Sequence, residues 1–337
     1  MPAVSIIVPV YNRPAEVADL CESLLAQTDP DFELVIVEDG STVPCRDVVD
    51  KAVGKGLACS YYYKTNEGRS IARNYGLERA RAGFFVFVDS DCVIPPDYIA
   101  TLKSCLGASH IDCFGGPDAA HESFSDVQKA INYSMTSFLT TGGIRGGKIQ
   151  LEKFVPRTYN MGFSREVYEA VGGFREMFSE DIDMSTRIRQ AGFSPVLLRQ
   201  VYVWHKRRVD FRRFFRQVYV FGMSRVTLRL LYPGSLKLVH LFPACFVVGT
   251  LALILLGIFV SPWFLLPLGI YLAAVFIGAL LATKSLRISA LAVPAAVIQL
   301  GGYGLGFIKA YTTRIILGRG RDISEEVSIR QGKNEKL

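Results

Sequence analysis

Seven cysteines are scattered through the 337 residues (Cys21, Cys45, Cys59, Cys92, Cys105, Cys113 and Cys245), and there are only four histidines. No Cys-x-x-Cys and no Cys/His cluster is present, which argues against a structural zinc site or a disulfide framework. The thiols read as small apolar packing residues. Acid is scarce in one place: between Trp204 and Lys237 nine Lys/Arg stand against a single acid, Asp210. Charge is missing altogether from Leu241–Val260, Pro262–Ala282 and Ile288–Ile308. No signal peptide opens the chain; Met1-Pro2-Ala3 runs straight into an apolar strand, so the N-terminal part is expected to stay in the cytosol.

Half of the residues are hydrophobic and the mean hydropathy is +0.26, high for a soluble protein of this size. The excess lies after residue 237. Each uncharged stretch has 20 or 21 residues, which as helix gives roughly 30 Å, the thickness of bilayer hydrocarbon. The first two read as spans. The third is interrupted by Pro294, Gly301, Gly302, Gly304 and Gly306. A full third crossing would also put Lys309, Arg314, Arg319 and Arg321 opposite the Lys284–Arg287 loop, against the positive-inside rule. Three membrane segments are expected, the third either a span or re-entrant or interfacial, with the side of the C-terminus left open. The formal charge of +7 is concentrated in the basic block before them. Its position favours anionic lipid headgroups over nucleic acid as partner. Within it, Phe211, Phe214, Phe215, Val218 and Phe221 share one helical face and Arg212, Arg213 and Arg216 another, the pattern of an amphipathic helix, either a core helix whose arginines face water or, as its place beside the membrane part favours, an interfacial one.

Residues 1–205 alternate strand and helix. Strands are expected at Val4–Val8, Phe32–Val37, Cys59–Tyr63 and Phe84–Val88, with helices at Pro14–Leu25, Arg46–Lys55, Arg69–Ala82 and Ile182–Ala191. Such alternation predicts a parallel sheet wound in a Rossmann-like way. The expected organisation is an α/β domain over 1–205, a basic amphipathic region over 206–237, membrane segments over 238–311 and a polar tail over 312–337. The glycine-rich stretch Thr141–Lys148 reads equally as a mobile lid or an ordinary surface loop.

Acids recur where strands end, and ligands of open α/β sheets bind at the carboxyl ends of strands. Val88 is followed by Asp89-Ser90-Asp91, whose oxygens suit a hard cation such as Mg²⁺ or Mn²⁺, itself able to hold a substrate diphosphate. Pro9-Val10-Tyr11-Asn12 offers an aromatic for a nucleobase, although Tyr11 alone would read as packing. Glu38-Asp39-Gly40-Ser41 offers a carboxylate to a base N–H beside a glycine that allows close approach, or simply an Asp-Gly turn. Ser179-Glu180-Asp181 opens a helix, where acids serve either as caps or as a well-fixed base. Together these residues describe a site for a nucleotide diphosphate, a divalent metal and a separate general base, a set suited to sugar transfer.

Val4-Ser5-Ile6-Ile7-Val8-Pro9-Val10-Tyr11-Asn12, Val37-Glu38-Asp39-Gly40-Ser41, Asn66-Glu67-Gly68 with Ala72-Arg73-Asn74, Val88-Asp89-Ser90-Asp91, and Val171-Gly172-Gly173-Phe174 with Glu180-Asp181 resemble, in order, the motifs of family 2 glycosyltransferases of the GT-A fold. The resemblance covers residues 3–205. It implies a GT-A nucleotide-sugar-binding domain followed by α-helical transmembrane segments. It further implies that Pro9, Tyr11 and Asp39 hold the base, with Arg73 near base or diphosphate. Asp89 would bind ribose or metal-bound groups, Asp91 would ligate the metal, and Asp181 would be the base of an inverting transfer. His205 matches a position near metal or diphosphate, with a structural histidine as the alternative. Asn160 and Glu180 are implied on the acceptor side, Glu180 alternatively being structural. The Gln-x-x-Arg-Trp motif of processive members is missing: Gln217-Val218-Tyr219-Val220-Phe221 has neither Arg nor Trp in place, so single-sugar transfer is expected. The order of parts resembles bacterial inner-membrane enzymes that add one sugar, from a UDP-linked donor by expectation, to a polyprenyl-diphosphate-linked saccharide. The alternatives are a polyprenyl-phosphate glycosyltransferase and a non-catalytic subunit that binds a nucleotide sugar.

Overall fold

The computed structural model describes residues 2–119, 124–141, 154–205 and 210–318. In chain order the first elements are β1 (Val4–Val10), α1 (Pro14–Leu25), β2 (Phe32–Asp39), α2 (Arg46–Gly54), β3 (Cys59–Lys64), α3 (Arg69–Leu77) and β4 (Phe84–Val88). Then come β5 (Cys92–Val93), α4 (Tyr98–Ala108), β6 (Cys113–Gly115), β7 (Asp118–Ala119), α5 (Asp126–Thr136) and α6 (Phe138–Thr141). After these lie β8 (Asn160–Ser164), α7 (Arg165–Val171), α8 (Glu180–Gln190), β9 (Val196–Leu197) and β10 (Val203–His205). Four helices end the described chain: α9 (Phe211–Leu231), α10 (Phe242–Phe259), α11 (Leu266–Thr283) and α12 (Leu286–Tyr311). Two compact units result. One holds residues 2–119 and 154–205, the other residues 124–141 and 210–318.

The first unit is built on a seven-stranded sheet in the order β3-β2-β1-β4-β8-β6-β9. Alternate residues of its central strands feed two cores, because strand side chains point to opposite faces. Ile6, Val8, Leu34, Ile36, Val86 and Val88 pack on one side with Leu20 of α1, Val49 of α2 and Leu102 of α4. Ile7, Val35, Val37, Phe85 and Phe87 pack on the other with Ala72 of α3 and Met184 and Ile188 of α8. Strands buried on both faces explain the continuous apolar runs in the sequence.

The sheet is mixed rather than wholly parallel. β3, β2, β1 and β4 run parallel, but β8 pairs antiparallel with both β4 and β6. The consequence is positional: β8 begins at the carboxyl end of β4, with Asn160 opposite Val88. The α3 helix also stops at Leu77, short of the expected Ala82. Buried Glu33 accepts from the Arg81 amide at 2.6 Å and from its Nε at 2.7 Å, while Ser5 Oγ accepts from the Ala82 amide at 3.0 Å. These bonds draw the backbone out of the helix and into β4.

In the second unit, three helical stretches, Leu238–Phe259, Pro262–Thr283 and Leu286–Ile316, are long and apolar enough to cross a membrane. That is the composition of a membrane protein. The α12 helix runs unbroken through Pro294 and the glycines that seemed to interrupt it. Gly302 and Gly306 form a packing seam with α9. A Cβ on Gly306 would stand 2.0 Å from the Tyr219 carbonyl oxygen of α9, and one on Gly222 2.0 Å from that of Tyr303. Only bare Cα atoms let the two helices lie this close. The apolar face of α9 is accordingly spent on protein: Phe214 and Val218 pack with Ile131, Met135 and Ala295, and Tyr219, Met223 and Val226 with Phe307 and Ala310. Gly306→Leu is therefore expected to lower the thermal unfolding midpoint of the detergent-solubilised protein, with an overpacking cost of about 1–3 kcal/mol. An unchanged midpoint would refute the seam.

Candidate active site

Three short strands assemble the first group of site residues. Asp89-Ser90-Asp91 carries the chain from β4 into β5. β10 pairs antiparallel with β5, His205 opposite Cys92, and parallel with β7, Val203 opposite Asp118. Asp91, His205 and Asp118 are thus brought together from distant parts of the chain. His205 Nε2 lies 3.1 Å from Asp91 Oδ1, and Arg13 donates to Asp91 Oδ2. On the far side of the ring, Nδ1 lies 3.8 Å from Asp118 Oδ2. Tyr159 stacks on the imidazole with centroids 5.0 Å apart and donates its hydroxyl to Asp118 Oδ1 at 3.2 Å. Burial opposes charge on His205, but the carboxylates of Asp91 and Asp118 outweigh it and raise the group to about 9.

A second group hangs on Arg73, which is wholly buried. Its two terminal nitrogens diverge, one to Glu180 Oε1 and one to Asp89 Oδ1, each at 2.8 Å. Arg69 Nε lies 2.7 Å from the same Glu180 oxygen. Glu180 is 1% exposed, so it is the sealed counter-ion of two arginines. Asp181, next to it at the start of α8, keeps more of its surface. One of its oxygens accepts from the Ile182 amide at 2.8 Å and the other from Arg157 at 3.2 Å. Ser179, the residue before Glu180, holds φ +63°, a left-handed conformation that turns the chain into α8.

The remaining expected residues divide. Asp39 is buried, its carboxylate accepting from the Glu67 and Gly68 amides at 3.0 and 2.7 Å and from Lys64 Nζ at 3.0 Å. Gly40 follows at φ +71°, where a Cβ would stand 2.5 Å from the Asn66 amide nitrogen. Asn12 Oδ1 accepts from the Thr42 and Val43 amides at 2.8 and 2.9 Å, joining the loops after β1 and β2. Tyr11 stands 47% exposed beside it, and Pro9 is half-buried within β1. Asn160 is wholly interior. It accepts from Tyr98 Oη at 2.7 Å and donates to the Val201 carbonyl at 2.8 Å, so both ends of its amide are used within the protein. The expected glycine-rich loop lies, beyond Thr141, outside the described residues.

Asp91, Cys92 and His205 offer ligand atoms within 4.8 Å of one another. The chemistry of that donor set decides which of them fit a metal. Burial holds the Cys92 thiol well above its ordinary value, so it stays a neutral, soft S–H. A carboxylate oxygen and an imidazole nitrogen suit a hard or borderline divalent ion, and Asp91 and His205 fit one. Asp118 stands where an outer carboxylate would orient a ligating imidazole.

Arg13, Arg69, Arg157, Asp118 and Tyr159 were not apparent from the sequence. Arg13 directly follows the Tyr11-Asn12 motif and Asp118 the Gly115-Gly116-Pro117 turn, which are the only local signals for either. Nothing local marks Arg157.

Residues 5–172 match the model of the family described as "Glycosyl transferase family 2". The chain is 38% identical over 106 residues to EpsH of Bacillus subtilis (strain 168), named as a glycosyltransferase, covering 32% of this chain and 31% of that one. It is 37% identical over 92 residues to TuaG of the same organism, whose name ties it to teichuronic acid biosynthesis, covering 27% and 36%. The match therefore spans about a third of the length of each relative. A mannosyltransferase from Pyrobaculum calidifontis, solved in complex with GDP-Man and Mn2+, shares the fold with a TM-score of 0.55 at 18% identity, over 94% of this chain and 88% of that one.

Two outcomes follow from the geometry. Removing one member of a buried ion group strands the others, so Arg73→Ala should cost about 3–5 kcal/mol of stability, read as a lower denaturant midpoint. The second outcome concerns pH. A histidine raised in the folded state stabilises fully below its ordinary value of 6.5 and loses that contribution as pH climbs through about 9. In EDTA, wild-type stability should fall by up to about 3 kcal/mol across that window. The fall should be smaller in His205→Gln, and parallel profiles would refute the assignment.

Proposed function

Because the chain belongs to glycosyl transferase family 2 through residues 5–172, we propose that it transfers one sugar, with inversion, from a UDP-linked donor to a hydroxyl of a polyprenyl-linked saccharide in cell-surface polysaccharide biosynthesis. The observation that carries this reading is the Asp89–Arg73–Glu180 tie, which locks the acids after β4 to the acids opening α8. A site for the leaving diphosphate and a separate carboxylate for the attacking hydroxyl are thereby held in one rigid frame.

In this reading Asp91 and His205 hold Mg²⁺ or Mn²⁺, which when bound offsets charge on the departing diphosphate. The Mn2+ in the mannosyltransferase complex supports a divalent ion. Tyr11, exposed beside the loops that Asn12 joins, and Pro9 and Asp39 shape the base pocket; Asp39 does so by pinning the backbone at Glu67 and Gly68. Arg73 serves the donor through Asp89, fixing a carboxylate that faces ribose or metal-bound groups. Asp181 takes the proton of the acceptor hydroxyl, with Arg157 and the Ile182 amide fixing its direction. Glu180 and Asn160 support the acceptor side from within, one as counter-ion and one as an interior strut. The missing Gln-x-x-Arg-Trp supports a single transfer over processive synthesis. The uncharged helices and the basic residues of α9 support a place in the bacterial inner membrane with the catalytic unit in the cytosol.

The test is nucleotide release by the solubilised protein from UDP-, GDP- and dTDP-sugars, with Mn²⁺ or EDTA, with and without bacterial lipid extract. Metal-dependent, lipid-stimulated release from a UDP-sugar is expected. Asp181→Asn should lose turnover by a factor of about 10²–10⁴ while nucleotide affinity is kept. Asp91→Ala should lose the Mn²⁺-dependent part of that affinity. Equal loss of binding and turnover in Asp181→Asn would sink the base assignment. Tolerance of Asp181→Asn would point instead to an already ionised lipid phosphate as acceptor. Nucleotide binding without release from any donor would point to a silent subunit.

A further inference from the structure

We propose that α12 is not a third span but lies along the membrane boundary, across the open base of an α10–α11 hairpin, so that both of its ends and the start of α10 face the same side. The proposal rests on where α12 meets its two neighbours. α10 and α11 are joined by Val260, Ser261 and a 3₁₀ turn over Pro262–Leu265, so Phe242 and Thr283 are the ends farthest from that link. In a three-span bundle the last turns of α12 would come level with Val260. They meet the opposite end of α10 instead. A Cβ on Gly304 would touch the Pro243 carbonyl and Val247, and Tyr303, Phe307, Ala310, Tyr311 and Ile315 share a cluster with Leu241 and Ala244. The first turns of α12 meet the end of α11: Ile288, Leu291 and Ala292 cluster with Ala279, after a link of two residues, Lys284 and Ser285.

The lengths close the figure. α10 and α11 have 18 residues each, roughly 27 Å of helix, and the two attachment points on α12 are separated by roughly 20 Å of its rise. The arms therefore splay where they meet α12 and lean together farther on, where the Phe246 ring lies 5.6 Å from that of Tyr271, five residues into α11. A bar joining the ends of two equal arms runs perpendicular to the axis of the hairpin. With the hairpin inserted along the bilayer normal, the bar lies in the plane.

The turn is open, with Phe259 80%, Val260 66% and Trp263 78% exposed, and Phe242 at the start of α10 is 66% exposed as well, while Val275 and Ala279 in the second half of α11 are fully buried. No Asp, Glu, Lys or Arg occurs between Leu238 and Thr283, so the open tip suits hydrocarbon and nothing else. α12 carries a different surface. Ala292, Ala295, Ala296, Gly302 and Gly306 are covered, and Ser134 of α5 donates to the Ala295 carbonyl at 3.2 Å. Its cations then fall into order. Lys284 and Arg287 before and at one end, and Lys309 at the other, share one headgroup layer, as the positive-inside rule requires, while Arg314 is buried and donates to Thr227.

The inference rests on the membrane reading of the second unit, and its test separates the two. Full-length protein in bacterial inner membranes, with Cys245→Ser to remove the exposed native thiol, would carry Leu238→Cys, Leu286→Cys or Thr312→Cys singly. Each is treated with a membrane-impermeant maleimide in spheroplasts and in inside-out vesicles. All three are expected to label from the inside-out face and to be protected in spheroplasts. Labelling of Thr312→Cys from the face opposite to Leu286→Cys would overturn the in-plane helix while leaving the membrane anchor intact. Release of the protein by carbonate washing would overturn the anchor and this inference together.

Discussion

The buried guanidinium of Arg73 is the constraint on which the candidate site depends. With no exposure it joins two distant elements by charge, and it does so in opposite directions at once. Burying a guanidinium is costly, and the cost is offset only because both Asp89 and Glu180 meet it at hydrogen-bond distance. The geometry is then fixed by electrostatics: α8 cannot drift from the end of β4 without stranding a charge in a dry interior. Asp181, one residue along from Glu180, inherits that fixed position while keeping access to solvent.

The same logic recurs in weaker form around the site. Asp91 has Arg13 on one oxygen and His205 on the other; Asp181 has Arg157; Asp39 has Lys64 and two amides. Each acid that the chemistry would use is held by a cation from another part of the chain. A cluster of carboxylates would otherwise repel itself, and the surrounding cations hold each one in a fixed direction.

How much of this was legible in the sequence depends on whether the signal is local. The bounds of Pro14–Leu25 and Phe84–Val88 coincide with the helix and strand observed, because apolar period and a proline start are local properties. The acids at strand ends were legible for the same reason. Their partners were not: Arg13 is 78 residues from Asp91 and Arg73 is 107 from Glu180, and a lone cation carries no period that would reveal its partner. The antiparallel entry of β8 was hidden too. Nothing in Asn160–Ser164 records the direction from which the chain returns, and that direction alone decides that Asn160, not Ser164, lies beside Val88.

The second unit shows a different limit. Glycine costs a helix about 1 kcal/mol relative to alanine, so Gly301, Gly302, Gly304 and Gly306 read as breaks when α12 is considered by itself. At Gly302 and Gly306 the sign reverses against α9, since the missing side chains there and at Gly222 are what allow Tyr219 and Tyr303 to bring their carbonyls to the opposing helix. Hydropathy has the same blindness, because a residue is scored as apolar whether protein or lipid covers it. α10 and α12 are both apolar by composition, yet α10 is open along most of its length and α12 is covered along a continuous stripe. What distinguishes them is the partner, and in the seam the small residues of α12 are the trace that partner leaves in the sequence.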